Sequence, residues 1–155
     1  ADKVILPGVG AAGFAMQALK EKGLDEIIPG LMQPLLGVCL GLQLLCSYSE
    51  EDDCSCLGVF DVAVKKFPPQ DIVPHTGWNN LYDLEGNLFS QVPTNPDVYF
   101  VHSYYAALGK ETIAKSSYIL PFSAGLQKDN FYATQFHPEK SGDTGVQILK
   151  NFLAL

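Results

Sequence analysis

One cysteine, Cys39, lies between two glycines in the stretch Gly37-Val38-Cys39-Leu40-Gly41. A short apolar run precedes it and a helix-like pattern follows it, so it is predicted to sit at a strand-to-helix turn. A nucleophile on such a turn stands at the end of a sheet, and the close approach of the backbone requires small residues two positions to either side. The N-terminus of the following helix also favours the thiolate form by lowering the thiol pKa. We therefore expect Cys39 to be a nucleophile; the alternative is a buried cysteine with two incidental glycines.

The other three cysteines do not suggest a second site. Cys46 lies further along the same predicted helix and is expected in the core. Cys54 and Cys56 follow the acidic run 50–53, whose charge opposes thiolate formation. Their spacing lacks the second pair or the nearby histidines of a zinc site, so no metal is expected. We expect reduced thiols and a cytoplasmic protein.

A cysteine nucleophile needs a general base, and the sequence offers three histidines. His137 lies in Gln135-Phe136-His137-Pro138-Glu139, at the end of the last predicted strand, where the proline stops the strand. Glu139 is placed to hold the tautomer of the imidazole, as the third member of a triad does. His137 is therefore the predicted base, and His75 and His102 are expected to be structural.

Acyl chemistry also needs N–H donors for the developing oxyanion. The N–H of Leu40, directly after the nucleophile, is one candidate. The loop Pro7-Gly8-Val9-Gly10 can present a second amide because its glycines allow the backbone to flip, although an ordinary turn is equally compatible with these residues.

These residues require elements that bring distant parts of the chain together. Residues 3–6 and 35–38 are predicted to be buried strands, and residues 11–22 and 40–48 helices. Strand, helix, strand and helix in this order indicate a parallel sheet with helices on its faces.

The second half of the chain looks more extended. Strands are predicted at residues 62–67, 78–84, 98–106, 122–128 and 131–137, with a hairpin turn at Asp129-Asn130. A closing helix is predicted from about Thr144, capped by Ser141 or Asp143. A doubly wound sheet usually begins with a complete βαβ unit, so we expect that the N-terminal part of the fold is missing before Ala1.

Composition excludes several classes of protein. The 155 residues are 47% apolar, enough for one domain with a real core and too apolar for disorder. The net charge of −7 disfavours a nucleic-acid binder. No apolar stretch is long enough to cross a bilayer, and no segment resembles a signal peptide.

Together, PGVG, GVCLGLQLL and QFHPEKS, in this order and spacing, resemble the class I (triad) glutamine amidotransferases. The stretches VPHTGWNN (73–80) and VYFVHSYY (98–105) are most similar to the amidotransferase subunits of imidazole glycerol phosphate synthase, an enzyme of histidine biosynthesis. The resemblance covers nearly the whole chain. It implies an α/β, flavodoxin-like sheet with flanking helices, and a strand, helix and strand before the equivalent of Ala1.

The resemblance also implies roles for individual residues. Cys39 would attack the carboxamide of glutamine, His137 would shuttle the proton and Glu139 would orient His137. The oxyanion donors would be Leu40 and either Val9 or Gly10. No cofactor is implied. The residues expected to line the glutamine pocket are Gly8, Leu40, Gln43, Ser103 and Tyr104, with Glu51 holding the α-ammonium group.

The resemblance finally implies a partner, a (β/α)₈-barrel cyclase that uses the ammonia. The residues expected at that interface are His75, Gly77, Trp78, Asn79 and Lys140. Three alternatives remain at this point: an amidotransferase subunit of anthranilate or pyridoxal phosphate synthesis, a non-catalytic binding module of the same fold, and a cysteine hydrolase of γ-glutamyl compounds.

Overall fold

A computed structural model describes all 155 residues. The chain forms four α-helices, which are α1 (Ala12–Glu21), α2 (Leu24–Ile27), α3 (Leu40–Leu45) and α4 (Gly142–Leu153). The strands are β1 (Val4–Leu6), β2 (Leu35–Val38), β3 (Tyr48–Ser49), β4 (Cys54–Ser55), β5 (Ala63–Lys66), β6 (His75–Asn80), β7 (Asp97–His102), β8 (Tyr104–Ala106), β9 (Thr112–Tyr118), β10 (Leu120–Lys128) and β11 (Phe131–Thr134). Short 3-10 helices cover Ile28–Gly30, Glu51–Asp53, Asn87–Phe89 and Pro138–Lys140.

Nine strands form one mixed sheet in the order β1-β2-β11-β10-β8-β5-β3-β4, with β9 paired to β10. The first three strands of this order are parallel: β1 and β11 both pair with β2, opposite Leu35. Most of the remaining pairs are antiparallel, including the hairpin of β10 and β11 around Asp129. The predicted α/β sheet with flanking helices is confirmed, but parallel pairing dominates only at the β1 end.

Two strands, β6 and β7, form a separate antiparallel ribbon. Its register places His75 opposite His102, and Trp78 opposite Tyr99. One face of the ribbon contributes the buried residues Val98 and Phe100 to the core.

The core lies on both faces of the sheet, and β2 is therefore buried along its whole length. Leu36 and Val38 belong to the larger cluster, which also contains Phe152 of α4. Leu35 points to the opposite cluster, with Leu42 of α3. This alternation follows the two-residue period of a strand. None of the helices is long and apolar enough to cross a membrane.

Several predicted boundaries were wrong. Helix α3 ends at Leu45, because Tyr48 already pairs with Ala63 of β5 as a strand residue. The strand predicted at 78–84 begins earlier, at His75, and ends at Asn80. Strand β9 was not predicted at all.

Ser141 occupies the predicted N-cap position of the closing helix, but the capping hydrogen bond is not formed. Helix α4 begins at Gly142, and neither Ser141 nor Asp143 caps it with its side chain. The Ser141 hydroxyl instead donates to the main-chain oxygen of His137, at 2.6 Å. The Ser141 side chain therefore contacts the candidate site described next and does not cap the helix.

Candidate active site

The three predicted chemical segments follow three neighbouring parallel strands. The loop 7–10 follows β1, Cys39 follows β2, and the stretch 135–139 follows β11. Because the carboxyl ends of parallel strands meet at one edge of a sheet, residues almost a hundred positions apart come together there.

The turn at Cys39 explains its two glycines. Cys39 itself has φ 55° and ψ −107°, a strained conformation for a residue with a side chain. A Cβ on Gly37 would lie 2.7 Å from Leu45 Cδ1 and 2.9 Å from the backbone of Gly41. A Cβ on Gly41 would overlap the main-chain oxygen of Leu6. Both glycines are therefore needed for close packing of α3 on the strands.

The thiol of Cys39 is largely buried, with 8% of the residue exposed. It donates to the main-chain oxygen of Val101 at 3.8 Å and accepts from Nε2 of Gln135 at 3.7 Å. Burial raises the pKa of Cys39 to about 11, and the N–H of Leu40 offsets only part of this effect. The expected thiolate was therefore wrong: desolvation outweighs the helix N-terminus, and the resting group is a neutral thiol.

His137 and Glu139 are joined as predicted, with Nδ1 of the imidazole 2.6 Å from Oε1 of the carboxylate. The imidazole is buried, the carboxylate is half exposed, and Nε2 of His137 has no hydrogen-bond partner. The main chain of His137 is also held, because its N–H donates to Tyr99 and its oxygen accepts from the buried Ser141 hydroxyl. With Nδ1 committed to Glu139, Nε2 is the nitrogen available for proton transfer.

Cys39 and His137 line one cavity of about 270 Å³. Gly8 is not part of its wall; a Cβ at this position would lie 3.3 Å from Leu40 Cβ, so Gly8 packs beneath the turn. The residues that line the cavity are Val9, Gly10, Cys39, Leu40, Gln43, Glu51, Val101, His102, Ser103, Tyr104 and His137. Apart from Gly8, the structure brings together every residue predicted for catalysis and glutamine binding, although Glu139 stands behind His137.

The loop 7–10, which carries the second oxyanion candidate, is held by hydrogen bonds just after its C-terminal end. The N–H of Ala12 donates to Oε1 of Glu51 at 2.7 Å, and the N–H of Gly13 donates to Oδ2 of Asp52 at 3.0 Å. The acidic run thus satisfies two of the free amides at the start of α1, which has no side-chain cap of its own. The loop itself remains open: Val9 is 84% exposed, and Gly10 has φ 105°.

A line of hydrogen bonds connects the ribbon with the cavity. His102 Nδ1 lies 2.8 Å from the main-chain oxygen of Tyr104, and its Nε2 lies 3.0 Å from His75 Nδ1. Nε2 of His75 lies 3.3 Å from Nδ2 of Asn79. Because the oxygen of Tyr104 only accepts, both rings carry their proton on Nδ1. Burial lowers the pKa of His75 to about 4 and that of His102 to about 3, so both rings are neutral.

The predicted interface residues differ in their exposure. Trp78 is 58% exposed on the ribbon and makes an edge contact with Tyr99, so it is not a core residue. Gly77 and Asn79 are half-buried on the same strand, and Lys140 is exposed. His75 is buried and stacks on Tyr118, so its side chain supports the ribbon from within.

Three residues contact the reacting groups although the sequence did not predict this role for them: Gln135, Ser141 and Val101. Gln135 and Ser141 flank the recognised His137 and Glu139, but a polar residue next to a motif does not reveal which way it points. Val101 acts through its main chain, which leaves no sequence signal. No group of three or more histidine, cysteine or acidic side chains could hold a metal ion.

Comparison with solved structures supports the fold. A structure titled as a glutamine amidotransferase matches with a TM-score of 0.71 at 20% identity, over 97% of this chain and 79% of its own. A glutamine amidotransferase from Thermotoga maritima matches with a TM-score of 0.68 at 21% identity, over 99% of this chain and 63% of its own.

Comparison with sequences identifies the family. The family described as "Glutamine amidotransferase class-I" matches residues 2–155. The imidazole glycerol phosphate synthase subunit HisH of Bacteroides fragilis is 56% identical, over the whole of this chain and 81% of its own length. The HisH subunit of Shewanella loihica is 47% identical, over the whole of this chain and 74% of its own. The chain therefore belongs to the class-I glutamine amidotransferase family, as a member of the HisH type.

Proposed function

We propose that this chain is the glutaminase subunit of an imidazole glycerol phosphate synthase, and that Cys39, His137 and Glu139 form its catalytic triad. The observation that carries the proposal is the shared cavity, which contains a strained cysteine turn and a buried imidazole held by a carboxylate. The HisH names of the sequence relatives favour this pathway over anthranilate or pyridoxal phosphate synthesis.

The first half of the reaction forms a thioester. Because the Cys39 thiol is neutral at rest, Nε2 of His137 takes its proton as the sulfur attacks the carboxamide carbon of glutamine. The carbonyl oxygen becomes an oxyanion, which accepts from the N–H of Leu40 and from that of Val9 or Gly10. The C–N bond then breaks as the imidazolium protonates the departing nitrogen. Ammonia departs, and a γ-glutamyl thioester remains on Cys39.

The second half releases glutamate. Nε2 of His137 takes a proton from water, whose oxygen attacks the thioester carbon, and the imidazolium returns the proton to the sulfur as the C–S bond breaks. Glu139 keeps the Nδ1 proton of the ring in place and stabilises the imidazolium formed in each half.

The cavity wall offers groups for the amino-acid end of glutamine. Glu51 uses Oε1 for the amide of Ala12, and its second carboxylate oxygen is assigned to the α-ammonium group. Gln43, Ser103 and Tyr104 surround the same space and are assigned to binding of the substrate. Gly8 is assigned to support of the oxyanion loop.

The partner is proposed to be a (β/α)₈-barrel cyclase that receives the ammonia. Ammonia released into bulk water would be protonated and lost as a nucleophile, so the cavity must open toward the enzyme that consumes it. Trp78 on the exposed ribbon suits an interface anchor, since exposed tryptophans often dominate binding energy. Gly77, Asn79 and Lys140 are assigned to the same surface, with His75 as its internal support. The four free cysteines agree with a cytoplasmic location.

The catalytic assignment can be tested by affinity labelling. A glutamine-like electrophile is expected to label the chain once, and Cys39→Ala to abolish both the label and glutamine hydrolysis. Cys54→Ala is the matched control, because this thiol is partly exposed and lies outside the cavity. Labelling that persists in Cys39→Ala would refute the nucleophile and favour a binding module.

The partner assignment needs a separate experiment. The chain is incubated with glutamine and, in turn, with the cyclase and with the synthases of anthranilate and pyridoxal phosphate formation. Only the cyclase is expected to stimulate hydrolysis. Stimulation by a different synthase would move the protein to another pathway, and full activity alone would favour a γ-glutamyl hydrolase.

A further inference from the structure

Two buried glutamines connect the nucleophile with the wall of the cavity. Gln135 has no exposed surface, and Gln43 is only 4% exposed. Nε2 of Gln43 lies 3.0 Å from the main-chain oxygen of Tyr104 and 3.0 Å from the side chain of Gln135, whose other end lies 3.7 Å from the Cys39 sulfur.

The orientation of both amides follows from the first of these contacts. The oxygen of Tyr104 can only accept, so Gln43 must turn its nitrogen toward it. That nitrogen also faces Gln135, and since it can only donate, Gln135 must present its oxygen there. The nitrogen of Gln135 is therefore left for Cys39, and the sulfur faces an N–H donor.

We propose that Gln135 serves the reaction: its amide donates to the Cys39 sulfur as negative charge develops there, and it fixes the Gln43 amide in the glutamine pocket. The proposal rests on the proposed function, in which Cys39 is the nucleophile. A hydrogen bond to a charged acceptor is stronger than one to a neutral acceptor, so this contact favours the thiolate over the thiol. Gln135 directly follows β11 and lies two residues before His137. One short segment therefore carries both the donor to the Cys39 sulfur and the proposed base.

The same arrangement defines what Gln43 can offer to a ligand. Both of its N–H bonds are used, one on Tyr104 and one on Gln135. Its oxygen Oε1 is the polar atom that remains, so Gln43 meets the substrate as an acceptor. An ammonium or amide N–H group of the substrate is the chemistry that it fits.

The test measures how Cys39 reacts with iodoacetamide at different pH values, in the full chain with Cys54→Ser and Cys56→Ser. The rate in the matching Cys39→Ala chain is subtracted to isolate Cys39. Gln135→Met keeps the length of the side chain but removes the donor, and is expected to slow alkylation about tenfold at pH 8. Gln135→Glu places a carboxylate beside the sulfur and is expected to slow it further.

A purely structural glutamine would change the melting temperature but leave the alkylation profile in place. An alkylation profile in either variant that coincides with that of the parent chain would overturn the proposal. Gln135→Glu retains the shape of the side chain and is the variant to use if Gln135→Met does not fold. Steady-state kinetics give a second readout, since loosening of Gln43 is expected to raise KM. Alkylation needs no glutamine, so failure of the proposed hydrolase activity is detected separately.

Discussion

Replacement of Gly41 by alanine tests the geometry of the cysteine turn most directly. The new Cβ would overlap the main-chain oxygen of Leu6, which is backbone and cannot rotate away. Helix α3 would have to move away from β1 by about 1 Å, and Cys39 and the N–H of Leu40 would move with it.

The size of the effect follows from this displacement. Overpacking of a dense core costs about 1–3 kcal/mol, so we expect the free energy of unfolding to fall by about 2 kcal/mol. A misplacement of about 1 Å in an active site can cost about a hundredfold in rate, and we expect a loss of that order in kcat/KM for glutamine.

Two further glycines give a graded series. A Cβ on Gly37 meets the flexible end of Leu45 at 2.7 Å as well as the backbone of Gly41, so Gly37→Ala is expected to have a smaller effect. Gly30→Ala is the control, because a Cβ there meets nothing within 4 Å. Its free energy of unfolding is expected to stay within about 0.5 kcal/mol of that of the parent chain.

Urea unfolding and partner-stimulated glutamine hydrolysis measure the two effects. In both assays the loss is expected to be largest for Gly41→Ala, smaller for Gly37→Ala and smallest for Gly30→Ala. If Gly41→Ala matched Gly30→Ala in stability and turnover, close packing would not be the reason for glycine at this turn.

Three other predictions use the charges and exposure of single groups. Since His75 and His102 are buried as neutral rings with lowered pKa values, the unfolded chain binds more protons below pH 6.5. The free energy of unfolding in urea should therefore fall from pH 7.5 to pH 5.5, by at least about 1.4 kcal/mol for one imidazole; equal values would contradict neutral burial. Glu139→Gln should lower kcat about ten- to a hundredfold, since the half-exposed carboxylate no longer stabilises the imidazolium, while calorimetry of the free chain should show little change in melting temperature. Trp78→Ala should weaken cyclase binding about ten- to a hundredfold by titration calorimetry; unchanged affinity would remove Trp78 from the interface.

The sequence was informative where function constrains residue types locally. The glycines around Cys39 indicated where β2 ends, and its parallel partner β11 then brought His137 to the same edge of the sheet, although β11 ends at Thr134 and not at the predicted His137. The sequence was less informative where tertiary pairing overrides local preference. Tyr48 continues a helical pattern in sequence, yet it pairs with Ala63 and becomes a strand residue. The alternation in β9 is too weak to predict a strand, and its long pairing with β10 decides the outcome.

The electrostatics of the site could not be read from the sequence at all. The position of Cys39 before a helix predicts a low pKa, but burial has the larger effect and reverses the sign. Similarly, the sequence places His75 outside every predicted strand and His102 within one, and only their register across the ribbon makes them partners.

The one-way order of the hydrogen bonds from Asn79 to Tyr104 has a consequence for proton traffic. Each ring donates toward the cavity, and the row ends on a carbonyl oxygen, which has no proton to hand on. Conduction along this row would require both imidazoles to exchange tautomers and the final oxygen to hold a positive charge. The row therefore does not relay protons between Asn79 and the wall of the cavity.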